Sequence, residues 1–246
     1  LRRSRGLGDV YKRQGESNDL VIDDFKEGTW GSSFKLYFKG QFWTEVEWSL
    51  NGLYNARNAA IAALSAGIAI NPKNPLSIDL TSLKSFKGVK RRQEKLFENN
   101  ELVIYEDFAH HPSAISGVLE SKRRIFQERE IIACFEPRSN TSKSQLFQSE
   151  FTKALSKADA VLIGAIYKKK EASNNGYLDR LKMVQEIQGL RDNCIAEFFE
   201  ENEQLRLYLD HFLKDRERKR KPSVVVFFTN GSFDGIMKKL VNDLMS

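Results

Sequence analysis

Two adjacent histidines, His110 and His111, stand between an acidic pair, Glu106 and Asp107, and a proline, in the stretch "YEDFAHHPSA". The whole chain holds three histidines, so two of them fall at one junction. Imidazoles beside a carboxylate move protons or steady an anion near neutral pH. Two other polar stretches are able to share such work. "EPRSNTSK" offers Arg138 and Lys143 among Ser139 and Asn140, and "TNGSFDG" offers Asn230 and Asp234 among small residues. Cations of this kind stabilise phosphate or carboxylate charge, and Arg138 suits a carboxylate through paired hydrogen bonds. Taken singly, each stretch reads more readily as a turn: His110 as a cap for a helix starting at Pro112, Arg138 as partner of a surface acid. Taken together, they describe a site for an anionic substrate if the fold brings them to one place.

Their meeting depends on the elements that carry them. From about residue 101 the pattern alternates between strand and helix. "ELVIYEDF", "IIACFE", "AVLIGAI" and "SVVVFFT" are apolar strands, with a further short strand near "CIAEFF". Between them lie helices: "PSAISGVLESKRRIF" with Ile115, Val118, Leu119, Ile125 and Phe126 on one face, "QLFQSEFTKALSKA" with Phe147, Phe151, Leu155 and Ala158 inward, most of 177–216, and the closing "IMKKLVNDLM". Buried strands alternating with amphipathic helices predict an α/β fold whose parallel-rich sheet is covered on both faces. Ligands of such sheets bind at the carboxyl ends of the strands, where "EDFAHHP", "EPRSNTSK", the region after "AIYKKK" and "TNGSFDG" fall. Residues 15–100 read differently. "SFKLYFK" and "FWTEVEWS" form a β-hairpin around "KGQ". A helix follows, with Asn55 as its cap, its alanines together with Ile61, Leu64 and Ile68 as a tightly packed face, and Pro72 and Pro75 after its end. "DLTSLKSF" is a short helix capped by Asp79, and the chain turns at Gly88 into a strand. A hinge is expected between about residues 86 and 101.

Composition excludes several classes. With 41% hydrophobic and 29% charged residues the chain is an ordinary globular one, and no apolar run reaches the length of a membrane span. Two cysteines are too few for a disulfide framework or a thiolate metal site, which suits a cytoplasmic protein. The formal charge of +6 suggests nucleic acid, but "LRRSRGLGDVYKRQ" contributes +4 of it. That segment has no periodicity, and "DVYKRQ" resembles the translated transposon end of a sequencing library. Residues 1–14 are therefore expected to be non-native, and the remaining +2 gives no reason to expect a nucleic-acid partner. The basic run "KDRERKRKP" is mixed with acids and reads as a solvated helix end. There is no G-x-x-x-x-G-K-[ST] phosphate loop, no G-x-G-x-x-G and no zinc-type ligand spacing, so no metal ligand is assigned.

In order and spacing, "GLYNARNAAIAA", "FKGVKRRQE", "YEDFAHHPSAI", "ACFEPRSNTSK" and "TNGSFDGI" resemble the Mur ligases, the ATP-dependent amide ligases of peptidoglycan synthesis. The likeness covers about residue 30 to the end. It is closest to the branch that recycles L-alanyl-γ-D-glutamyl-meso-diaminopimelate onto UDP-N-acetylmuramate. The L-alanine-adding branch tends to read "DDYGHHP" and "FQPHRY" at the corresponding stretches. The resemblance implies a Rossmann-like C-terminal ligase domain at 91–246. At 15–90 it implies the β-hairpin and helical tail of a truncated central ATPase domain, with the UDP-sugar domain and phosphate loop missing. It implies ATP and magnesium as cofactors, and UDP-N-acetylmuramate and murein tripeptide as small-molecule partners, with no membrane. Residue by residue, Asn55 and Asn58 match the adenine motif, with Tyr54 where the family usually has histidine. Arg92, with Arg91 beside it, matches the hinge arginine that reaches the nucleotide, and Asp107 the acid at the ribose. His110 and His111 are then placed near the γ-phosphate or the reacting carboxylate. Arg138, Ser139, Asn140, Lys143 and Asn230 lie where the incoming peptide is read. Two other readings stay open: a sister ligase with a different amino component, and a non-catalytic nucleotide-like binding module.

Overall fold

Alternating aromatic and β-branched residues in the first part of the chain make strands, and left-handed backbone at their junctions turns them. The computed structural model describes residues 18–166, 176–191 and 194–245. The expected non-native segment 1–14 and most of the stretch after "AIYKKK" lie outside the described residues. Strands β1 (Leu20–Gly28), β2 (Gly31–Phe38) and β3 (Gln41–Trp48) form an antiparallel sheet in that order. Lys39 and Gly40 both take positive φ, 50° and 76°, which is the twist a two-residue hairpin turn needs. The expected hairpin is thus β2–β3. β1 is a third strand that the sequence reading did not anticipate, and its pairing with β2 is interrupted by a bulge between Asp23 and Lys26.

The chain divides into two compact units, 1–88 and 89–246. In the first, helix α1 (Leu53–Ile70) packs Leu53, Ala56, Ala59, Ala60 and Ala63 against Ile22, Phe34, Leu36, Val46 and Trp48. Two expectations for α1 are corrected. Ile61 and Ile68 are exposed, at 62% and 49%, because the helix buries its alanine stripe, which allows closer approach to the sheet than branched side chains would. Asn55 is not the cap. Gly52 holds that position, and Asn55 Nδ2 donates to the Asn51 carbonyl at 2.7 Å. Likewise the short helix α2 (Ser82–Ser85) is capped at Thr81, while Asp79 accepts from both the Thr81 N–H and its hydroxyl.

The second unit is a six-stranded sheet in the order β4-β5-β9-β6-β7-β8. Its strands are β4 (Glu94–Glu98), β5 (Leu102–Asp107), β6 (Glu130–Phe135), β7 (Ala160–Ile163), β8 (Ile195–Phe198) and β9 (Ser223–Phe228). β4 is an antiparallel edge, and the other five are parallel. The helices are α3 (Pro112–Ile125), the short α4 (Asn140–Lys143), α5 (Gln148–Leu155), α6 (Arg180–Leu190), α7 (Asn202–Arg218) and α8 (Ile236–Met245). Pro112 opens α3 as expected, since its fixed φ suits a first helical position where no N–H is needed.

Both faces of β5, β9, β6 and β7 are buried. On one face Ile104, Ile132, Cys134, Leu162, Val225 and Phe227 pack with α7 and α8. On the other, α3 packs on α5 and α5 on α6, and Phe135 stacks on Phe151 with centroids 5.1 Å apart. The fold is therefore the helix-covered, mostly parallel α/β architecture that the strand–helix alternation predicts.

Candidate functional site at the carboxyl edge of the sheet

The helices that follow β5 and β6 lie on one face of the sheet, and the helix that follows β9, which is paired between them, lies on the other. Adjacent strands whose connections leave in opposite directions open a crevice at their carboxyl ends. Register places Asp107, Phe228 and Phe135 side by side as the last paired residues of β5, β9 and β6. The loops beginning at Phe108, Thr229 and Glu136 thus start from three neighbouring strand ends. These are the loops with chemically useful residues.

Backbone and side-chain bonds stitch them together. Thr229 N donates to the Asp107 carbonyl at 3.0 Å, and Glu136 N to the Phe228 carbonyl at 3.0 Å. The Thr229 hydroxyl donates to Glu136 Oε2, and accepts from Gly231 N at 2.8 Å. Arg91 reaches into the same junction. Its Nε donates to Glu106 at 2.5 Å, and its Nη2 to the carbonyls of Thr229 and Gly231. The guanidiniums of Arg91 and Arg92 each lie 5.2 Å from the Phe108 ring centroid, a cation–π arrangement that fixes both near the histidine loop.

Asp107 is 2% exposed. One carboxylate oxygen accepts from Gln93 N at 2.9 Å and the other from Ala109 N at 2.8 Å. Burial raises its pKa, and the two backbone donors and the positive charges of Arg92 and Lys122 pull the other way. Asp107 is thus placed to organise the 91–93 and 108–109 backbone from within, not to face solvent. His110 Nδ1 is 3.0 Å from the Phe108 carbonyl, and His111 Nδ1 is 3.0 Å from Ser113 Oγ. His111 occupies the N-cap position of α3 without a side-chain cap bond, so neither imidazole caps the helix.

Arg138 leans on Gly231: a Cβ there would lie 2.2 Å from its Cδ and Nε. Its Nη1 is 3.5 Å from Glu136 Oε1, so its neighbour is a buried acid and not a surface one. Ser139 caps α4 by accepting from Ser142 N at 3.0 Å. Asn140 is exposed and Lys143 half-buried on that short turn. Asn230 Oδ1 is buried with no hydrogen-bond partner. Tyr54, Asn55 and Asn58 lie at the start of α1, in the first unit.

Three participants escaped the sequence reading. Glu136 and Thr229 are one strand position past an apolar run, where a single polar residue is an inconspicuous signal. Asn202 bridges two further strand ends, accepting from Ala165 N at 2.9 Å and donating to Asp234 at 2.8 Å.

Glu136 gives a pH test. Burial raises its pKa, opposed by the Thr229 hydroxyl and Arg138 and reinforced by Asp234. A raised folded pKa means its contribution to stability is fully present below the unfolded value and is lost as pH rises through the folded one. Urea unfolding of Glu136→Gln should therefore compare more favourably with the parent at pH 7.5 than at pH 4.5. An identical difference at both pH values would show that Glu136 titrates normally.

No protein-family model matches this chain. The UDP-N-acetylmuramate–L-alanine ligase of Streptococcus sanguinis strain SK36 is 38% identical over 158 residues, 64% of this chain and 34% of that protein. Among solved structures, the murein peptide ligase of Psychrobacter arcticus 273-4 is 25% identical with a TM-score of 0.60, covering 93% of this chain and 45% of that one. In sequence and in fold the chain is similar to Mur ligases. The UDP-N-acetylmuramate–alanine ligase of Thermotoga maritima shares the fold at a TM-score of 0.67 and 20% identity, over 94% of this chain and 47% of its own. Folylpolyglutamate synthase of Mycobacterium tuberculosis, solved with ADP and AMPPCP, also shares the fold, at a TM-score of 0.65 and 14% identity, over 92% of this chain and 48% of its own. The chain spans about a third of the length of the curated Mur ligases it matches.

Proposed function

We propose that this chain belongs to an ATP-dependent amide ligase that joins an amino component to UDP-N-acetylmuramate. The observation that carries this reading is the meeting of the 108–111, 136–140 and 229–231 loops at the switch point of a Mur-ligase-like unit. Residues 89–246 correspond in this reading to the C-terminal ligase domain, and the strands and α1 before Gly88 to the end of the central ATPase domain.

The chemistry joins anions. The lactoyl carboxylate of the sugar becomes an acyl phosphate at the expense of ATP, and the incoming amine then attacks it and displaces phosphate. Arg92, held on Phe108, is assigned to the nucleotide, and His110 and His111 to the transferring phosphate or the carboxylate. Tyr54, Asn55 and Asn58 are assigned to adenine. Among the described residues no three His, Cys, Asp or Glu side chains gather as a metal cage. Among the same residues no helix is long and apolar enough to cross a membrane.

The amino component has two readings. Arg138 suits the terminal carboxylate of a peptide, which favours the murein tripeptide and, with it, a recycling role. The S. sanguinis relative favours L-alanine. Phosphate release by a complete ligase carrying this chain, with tripeptide or L-alanine as co-substrate, decides between them, and turnover with tripeptide is expected to be the faster by at least about tenfold in kcat/KM. Equal or better use of L-alanine would overturn the tripeptide assignment. The 246-residue chain alone, without a phosphate-loop motif, is expected to release no phosphate from ATP with either co-substrate. Turnover by that chain alone would defeat the division of labour proposed here.

A further inference from the structure

The basic run "KDRERKRKP" takes no part in the crevice above. It ends α7 and leads into β9, at the opposite, amino-terminal edge of the sheet. There a cleft of about 660 Å³ is lined by six cations, from Arg123 to Lys221, and three carboxylates. A six-residue strand separates it from the carboxyl edge by about 20 Å, so it is a separate place on the molecule.

Most of these charges serve the fold. Asp159 pairs with Arg123 and, at 2.5 Å, with Arg191, and accepts from Ile131 N at 2.8 Å. Glu130 pairs with Arg216 at 2.6 Å. Helices of a parallel α/β unit end at this edge with their carbonyls outward, which by itself repels anions. Two of the arginines answer loop carbonyls nearby: Arg123 donates to the Arg129 carbonyl at 3.2 Å, and Arg191 to that of Ala158 at 2.7 Å.

Arg129, Arg220 and Lys221 remain, against the single exposed carboxylate of Glu128. Arg129 is the informative one. Its Nη2 donates to the Asn100 carbonyl at 3.0 Å, and its guanidinium lies 5.7 Å from the Phe126 ring centroid. Its Nη1 is buried and has no hydrogen-bond partner. Arg129 lines the cleft with its guanidinium fixed on two sides, which preorganises its charge for an anion there.

We propose that this cleft binds a small multivalent oxyanion, with Arg129 as the anchor and Arg220 and Lys221 closing on it. The volume is that of a small-molecule site, and the cations line a concavity, so a free anion suits it better than a lipid surface. Calorimetric titration of the 246-residue chain with tripolyphosphate, and separately with citrate, at fixed ionic strength tests this. Binding of either is expected, weakened at least about tenfold in an Arg129→Gln, Arg220→Gln, Lys221→Gln triple variant. Hydrogen exchange should slow at 126–130 and 219–222. The proposal fails if neither anion binds, if the triple variant binds as the parent does, or if protection appears at 108–111 alone. Binding to phosphatidylglycerol vesicles without any response to the free anions would likewise overturn it.

Discussion

Asp107→Ala should destabilise the second unit by about 3 kcal/mol, because it strands one buried and one part-buried backbone donor, each costing roughly 1–3 kcal/mol when its acceptor is removed. Gln93 N and Ala109 N both lose their partner, and they belong to the two segments that Asp107 ties together. For a unit of this size the loss corresponds to a fall of about 6–12 °C in Tm. Asp107→Asn should fall between, since its one carbonyl oxygen keeps one of the two bonds while its amide opposes the other donor. Thermal unfolding followed by circular dichroism measures both. If Asp107 served only as a ribose contact, the alanine variant would raise the KM for ATP in a complete ligase and leave Tm unchanged. That outcome would return Asp107 to the role the sequence suggested.

Arg138→Ala in a complete ligase should raise the KM for the amino component about 100-fold, the scale of truncating one partner of a hydrogen-bonded charge pair. The KM for ATP should barely move, because Arg138 extends from the β6 loop while Arg92 sits with Phe108 beside β5. Gly231→Ala offers an independent route to the same effect. A methyl group at 231 overlaps Arg138 Cδ and Nε at 2.2 Å and must push the guanidinium aside without removing its charge. Steady-state kinetics on both variants should agree in direction. A rise in the KM for ATP alone would detach Arg138 from the amino component.

The sheet's strands were readable because each is an uninterrupted apolar run bounded by polar loops, and Pro112 announced its helix for a reason of backbone geometry. The order of those strands was less accessible. That β9 pairs between β5 and β6 depends on contacts between residues 121 and 93 positions apart, and no local pattern encodes it. α1 misled because its sequence has two apolar stripes, and shape decided which was buried. β1 was missed because Asp23 and Asp24 interrupt its apolar pattern where a bulge accommodates them. At the site, the residue types in the three loops were visible, but their partners were not. Asp107 looks like any strand-end acid until the 91–93 segment folds back over it. Glu136 and Thr229 gain meaning only from each other.

The central place of β9 also bears on how the protein is made. Until residues 223–228 are available, β5 and β6 have no common neighbour to pair with, and both flank an open gap of apolar backbone. A chain emerging from its N-terminal end would therefore carry four parallel strands that cannot yet form one sheet, and the segment from Ser223 onward would complete the assembly. Such late, long-range closure is slow and leaves sticky intermediates. Stalled or shortened translation products should then be targets for chaperones and proteases, not partly working domains.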